Sequence, residues 1–203
     1  MLHSIQLSLL KGANCSLTKS TKSELWSYVK TIILAIILSF FIQHFFFQPY
    51  TVKGDSMLPN LKDGNKIVVN KINYKYGKPQ RADLVVLKSP EHKEEYLVKR
   101  IVGLPGENIS FKNDVLYVNG QKTAEPYLNK AKQEKLPYEQ VTNDFTLKEI
   151  VGLAKIPKDY VLVLGDNRPI SNDGRHFGLI KIDNIVGEVN MRYWPLNEIT
   201  FMH

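Results

Sequence analysis

The sequence predicts a mainly β domain, an antiparallel sheet or barrel-like layout with few short helices, behind one N-terminal transmembrane helix. Three observations carry this. One apolar run free of Asp, Glu, Lys and Arg spans Thr31 to Phe47. Short β-like runs cut by turn residues follow it. No later segment shows a long apolar stripe of helical period.

The apolar run comes first. From Val29 to Phe47 a helix would rise roughly 28 Å, close to the thickness of a bilayer core. A cleaved signal sequence would have a shorter apolar stretch and small residues at its exit. Here the run ends in Phe45-Phe46-Phe47-Gln48-Pro49. A buried helix apolar on every face does not suit so small a domain, so an uncleaved anchor is expected. Gln43 and His44 are its polar exceptions, placed near the outer interface. Lys11, Lys19, Lys22 and Lys30 precede or open the run, with Glu24 the only acid there. That favours the head inside and the domain outside, with Trp26 and Tyr28 in the inner interface belt. Lys53, Lys62 and Lys66 follow the span and weaken the bias, but Gln48 to Val52 are uncharged. The expected organisation is a cytoplasmic head over residues 1–28, a span over 29–48 and an extracytoplasmic domain over 49–203. All ten prolines lie at Pro49 or beyond.

Strand candidates then follow in order: Lys66 to Asn70, Asp83 to Lys88, Tyr96 to Val102, Asn108 to Lys112, Val115 to Val118, Tyr160 to Leu164 and Ile185 to Val189. Asn113-Asp114 and Asn119-Gly120 are hairpin turn signals. Residues 121–158 are rich in Lys, Glu and Gln. They read as the polar part of an inserted region over about 106–158.

Charge and composition narrow the chemistry. The net charge of +7 suits a domain resting on anionic lipid or cell-wall polymer. No basic-aromatic stripe marks a nucleic-acid surface, so no nucleic-acid partner is expected. Cys15 is the single cysteine, so no disulfide forms within the chain and no cysteine zinc site can be built. His3, His44, His92, His176 and His203 lack ligand spacing. Gly103-Leu-Pro-Gly106 and Gly152 suit turns better than a phosphate cradle. Neither a metal nor another cofactor is expected. A cofactor-free hydrolase or a binding domain remains.

A serine nucleophile needs an acceptor for its proton. His176 sits beside Arg175 without a triad pattern. A lysine can serve if burial lowers its pKa. Lys99, among Leu97, Val98, Ile101 and Val102, has apolar neighbours that could supply the desolvation. Arg100 cannot serve, because a guanidinium stays protonated in proteins. On strand geometry alone Lys99 reads first as a solvated edge residue, and Ser56 as a turn former.

Four segments add a resemblance. Gly54-Asp-Ser-Met-Leu-Pro59, behind the apolar run, resembles the nucleophile box of type I signal peptidases. Arg81-Ala-Asp-Leu-Val-Val86, Lys99-Arg-Ile-Val-Gly-Leu-Pro-Gly-Glu107 and Gly165-Asp-Asn-Arg-Pro-Ile-Ser-Asn-Asp-Gly-Arg175 are similar to that family's next three boxes. They stand in family order over about 50–188, and the single span looks like the Gram-positive form.

The resemblance implies a membrane-anchored serine endopeptidase. It would remove signal peptides from exported preproteins, cutting after small residues at −3 and −1. It makes Ser56 the nucleophile, Lys99 the general base and Ser171 the hydroxyl that orients the lysine. Asp173 and Arg175 become a site-shaping pair. Asp166 and Asn167 match box positions that a tight turn explains equally well. Gly54, Asp55, Met57, Leu58 and Pro59 form the groove and oxyanion neighbourhood, with the Ser56 N–H as a donor. For Met57 and Leu58, contact with lipid, groove lining and core packing are all open. Expected partners are preproteins, membrane lipid and the secretion translocon. The chain departs from the family pattern at three glycine-linked positions. Gly54 stands where some relatives carry a serine, Gly174 replaces a common serine, and Ala82 replaces a usual glycine, read as a tolerated strand position. Two other readings are a self-cleaving repressor-type Ser/Lys protease and a non-catalytic membrane-tethered β binding domain. The first needs a DNA-binding head and an Ala-Gly cleavage site, and the chain contains no Ala-Gly.

Overall fold

The computed structural model of the chain describes residues 17–72, 74, 77–92, 94–129 and 140–202. The expectations for His3, Lys11, Cys15 and His203 lie outside them. Two units form: one up to Phe45 and one from Phe46 onward.

The first unit is a helix, α1 (Leu17–Phe46). Its window Glu24–Phe41 is long and apolar enough to cross a membrane. Ile32, Leu34, Ile36, Leu38 and Phe40 are all exposed, so the apolar surface runs around the helix rather than along one stripe. Near the start of that window the Lys30 ammonium lies over the Trp26 ring, 5.8 Å from its centre, one turn away.

The second unit is antiparallel throughout. Its strands are β1 (Phe47–Thr51), β2 (Lys66–Asn70), β3 (Leu84–Lys88), β4 (Tyr96–Gly103), β5 (Ile109–Lys112), β6 (Val115–Val118), β7 (Gln121–Thr123), β8 (Phe145–Thr146), β9 (Tyr160–Leu164), β10 (Ile180–Lys181), β11 (Ile185–Trp194) and β12 (Thr200–Phe201). Among the described residues an eight-stranded sheet runs β1-β2-β11-β3-β4-β9-β10, with β12 on β11, and a smaller sheet runs β7-β6-β5-β8. Helices are short, as expected: α2 (Leu147–Val151) and α3 (Gly174–Phe177).

The strand candidates all form. Both turn signals are hairpins whose residues take positive φ: Asn113 +50° and Asp114 +61°, Asn119 +51° and Gly120 +80°. This is the twist that two-residue loops require. The small sheet falls on the polar insertion. It packs Ile109, Phe111, Leu116 and Phe145 against Val102, Leu162 and Leu164 of the large sheet. Val52, Met57, Leu61, Ile67, Val69, Leu84, Val86 and Val189 form a second apolar cluster. The third, with Val85, Leu87, Ile101 and Val163, covers the opposite face of β3, β4 and β9.

Ala82 corrects the sequence reading. It is no strand position: it lies in the turn before β3 with φ of +71°, a region that a Cβ makes costly. Its N–H donates to the Ile101 carbonyl at 2.8 Å, which locks the turn. Ala82→Gly should therefore stabilise the domain by about 0.5–1 kcal/mol, net of the glycine's extra freedom when unfolded. The urea midpoint measures this, and an unchanged or lower midpoint contradicts it.

Candidate active site

Ser56 lies in the turn that follows β1, and Lys99 lies in the middle of β4. Lys99 Nζ stands 2.7 Å from Ser56 Oγ. Lys99 is not an edge residue in solvent: it is 2% exposed. Burial, the dominant influence, pushes its pKa from 10.5 down to about 8. Asp173 and Asp166 pull it back up, and Arg175 lowers it. The chemical content is a serine hydroxyl in hydrogen-bond contact with an amine that loses its proton under mildly alkaline conditions.

The backbone around Ser56 is fixed from the loop after β9. Asn167 N–H donates to the Ser56 carbonyl at 3.0 Å, and Asn167 Nδ2 donates to the Asp55 carbonyl at 3.1 Å. Gly165 allows this approach: a Cβ there would meet the Ser56 carbonyl oxygen at 2.5 Å and Ser171 Oγ at 2.1 Å. The Ser56 N–H makes no hydrogen bond among the described residues. Gly54, at φ +76°, instead gives its N–H to Asp63 Oδ1 at 2.7 Å. A donor for an oxyanion is thus left at Ser56 and is already used at Gly54.

Asp166 and Asn167 do more than turn the chain. Asp166, fully buried, receives Arg100 Nε at 2.8 Å and Arg100 Nη2 at 2.7 Å in a fork, and Asn60 Nδ2 at 2.8 Å. Asp173 and Arg175 form a second fork, with both distances 2.9 Å. Burial raises the Asp173 pKa, but bonds from Arg175 and the Gly165 N–H outweigh it and hold the carboxyl below the usual range. Asp173 also accepts from Arg175 N–H and caps α3.

One expectation is corrected. Ser171 does not hold Lys99. Its buried Oγ faces the hollow left by Gly165 and has no partner, while the lysine amine turns to Ser56. Of the readings open for Met57, core packing holds: it is 1% exposed and packs with Leu61 and Val86, and it also lines the cleft beside Ser56. Leu58 is half-buried, and Pro59 follows it across a cis peptide bond.

Several residues are missed by sequence reasoning. Arg168, its side chain fully buried, donates from Nε to the Gly165 carbonyl at 3.0 Å, from Nη1 to Thr142 Oγ1 at 2.9 Å and from Nη2 to Glu125. Glu125 also accepts from the Tyr127 hydroxyl at 2.8 Å. The Tyr127 ring lies 4.2 Å under the Arg100 guanidinium, and Asn60 Nδ2 donates to the Tyr127 carbonyl at 2.9 Å. The insertion thus grips the 165–171 loop through two buried arginines. The only sequence signal was a glutamate and a tyrosine within a polar stretch, indistinguishable from solvated neighbours.

A cleft of about 380 Å³ leads away from Ser56 and Lys99, walled by Tyr50 to Lys53, Ser56 and Met57 on one side and Glu94 to Lys99 on the other, with Val86 between them. Among the described residues the edge of β1 away from β2 is unpaired, and β9 pairs β4 only from Arg100 onward. No cluster of three or more metal-ligating side chains occurs among the described residues. His176 lines a separate cavity with Arg168 and Arg175.

Comparison with known proteins finds relatives over most of the chain. A family model described as signal peptidase, peptidase S26, matches residues 25–194. Signal peptidase I of Bacillus caldolyticus is 44% identical over 183 residues, covering 90% of this chain and 97% of its own. Signal peptidase IB of Staphylococcus aureus strain MRSA252 is 42% identical over 184 residues, covering 89% and 95%. The crystal structure of a signal peptidase I from Enterococcus faecalis V583 is similar at a TM-score of 0.52 and 41% identity, covering 55% of this chain and 96% of that one.

Proposed function

Because this chain belongs to the signal peptidase family, peptidase S26, we propose that it is a membrane-anchored serine endopeptidase that removes signal peptides from exported preproteins with a Ser56/Lys99 dyad. The observation that carries the reading is the 2.7 Å contact between Ser56 Oγ and a buried, pKa-depressed Lys99 amine.

Neutral Lys99 Nζ takes the Ser56 proton as Oγ bonds to the carbonyl carbon of the −1 residue. The oxyanion that forms lies within reach of the unpaired Ser56 N–H. The C–N bond then breaks, and the Lys99 ammonium gives its proton to the leaving amine of the mature protein. Water attacks the acyl-enzyme, Lys99 takes its proton, and the proton returns to Ser56 Oγ as the signal peptide departs. Asn167 holds the backbone at Ser56, and Asp166, Asp173 and Arg175 set the charge around Lys99.

Met57, Val86 and Val98 floor the cleft next to the dyad. That surface suits small side chains at −1 and −3, from a substrate extended along the free edges. The α1 anchor, oriented with its basic end in the cytoplasm, holds the site at the outer face where preproteins emerge from the translocon.

A preprotein whose signal ends Ala-x-Ala, incubated with the full chain in detergent, should yield mature protein. Ser56→Ala should release on the order of a thousandfold less. Cleavage that survives this substitution would refute the assignment.

A further inference from the structure

The cleft has an end that the dyad does not explain. Its two walls run in the same direction, so that Tyr50 meets Tyr96 at one end while Ser56 meets Lys99 at the other. The tyrosine rings lie 5.5 Å apart at 57°, and the Tyr96 side is half-exposed. Burial, with Tyr96 nearby, raises the Tyr50 hydroxyl pKa. Tyr50 and Val98 pack on the same apolar cluster as Met57 and Val86, and alternation along β4 puts Tyr96 on the face of Val98. The floor therefore continues outward from aliphatic to aromatic. Glu94 and Glu95 stand exposed at this outer end. Lys53, on the opposite wall, is the one described cation of the cleft besides Lys99.

An extended substrate advances about 3.3 Å per residue and turns alternate side chains to one face. With −1 at Ser56, the −3 and −5 side chains share its face. The −5 residue lies roughly 13 Å out, the same four residues that separate Lys99 from Glu95. It reaches the tyrosine pair beside the two carboxylates.

Taking the cleft as the substrate groove, we infer that this outer end is a −5 subsite for a long cationic side chain. The aliphatic stem of a substrate Lys or Arg lies against the Tyr50 and Tyr96 rings, and its charge faces Glu94 and Glu95. Small side chains are required next to the dyad, whereas here the open aromatic floor accepts a large one. An acidic −5 side chain meets two like charges and is disfavoured.

The test uses three otherwise identical preprotein-derived peptides with Lys, Ala or Glu at −5 and Ala at −3 and −1. With the full chain in detergent at low salt, kcat/KM for Lys should exceed that for Glu about five- to tenfold, carried mainly by KM. The Glu94→Gln/Glu95→Gln variant should bring this ratio close to one. Tyr96→Ala should remove the advantage of Lys over Ala. Equal rates for Lys and Glu peptides, or a ratio untouched by the double glutamate variant, would overturn the subsite. Binding of the same peptides, fluorescently labelled, to the Ser56→Ala chain separates this inference from the proposed function. A Lys-over-Glu preference in binding supports the subsite even where no peptide is cut. A wild-type chain that cuts none of the three refutes the peptidase reading instead.

Discussion

Replacing Lys99 with methionine is expected to abolish cleavage while making the fold more stable at neutral pH. Loss of a positioned general base costs about 10²–10⁴-fold in rate. The upper end applies here, since no histidine lines the cleft among the described residues to take the Ser56 proton. The stability gain follows from the pKa. Lys99 falls from 10.5 to about 8 on folding because burial disfavours the ammonium. Below pH 8 the folded chain carries that penalty in full, about 3 kcal/mol. Between pH 8 and 10.5 the unfolded chain binds more protons than the folded one, so the penalty fades as pH rises. Methionine fills similar volume without charge and gives up one hydrogen bond to Ser56, worth about 1 kcal/mol. The variant should therefore unfold at a higher urea concentration by about 2 kcal/mol at pH 7, with the gap closing toward pH 10.5. An active variant, or one less stable than the parent at pH 7, would contradict this account.

The largest loss of stability is expected from Glu125→Ala. That change leaves the Arg168 guanidinium buried, with its side chain fully out of solvent, and removes the acceptor of the Tyr127 hydroxyl. Breaking a buried pair from one side costs about 3–5 kcal/mol, a large part of the roughly 5–15 kcal/mol that holds a domain together. Arg168 also ties the Gly165 carbonyl, so the loop carrying Ser171 should loosen and turnover should fall. Glu125→Ala/Arg168→Met should recover most of the stability, because replacing both partners leaves no lone buried charge. Urea unfolding of the single and double variants measures both effects. A single-variant cost below about 1 kcal/mol would show that the pair is not the brace described here.

Ser56 and Lys99, which the structure brings to 2.7 Å, could be singled out because each lies in a contiguous segment that resembles a family box. The braces could not. Arg100 reaches Asp166 across 66 positions and Arg168 reaches Glu125 across 43, and no local pattern marks which acid of a polar stretch will be buried. Strand β1 was hidden by Pro49, which removes a donor. The sheet tolerates it because β1 is an edge strand. Strands β8, β10 and β12 have two residues each, too few to show a period. Ser171 sits in its expected segment, but its hydroxyl direction depends on the hollow at Gly165, a packing fact that residue order does not carry. The turn at Ala82 is similar: a positive φ at a non-glycine residue is imposed by the Ile101 contact from the neighbouring strand.

In the proposed mechanism a neutral Lys99 removes the Ser56 proton, and the pH dependence of kcat/KM for preprotein cleavage reads that transfer. Only the unprotonated amine accepts a proton, and its pKa lies at about 8. The rate should reach a plateau above that pH and fall about tenfold per unit well below it. A rate that stays level from pH 6 to pH 9.5, roughly the range either side of that pKa, would contradict the assignment of Lys99 as the base.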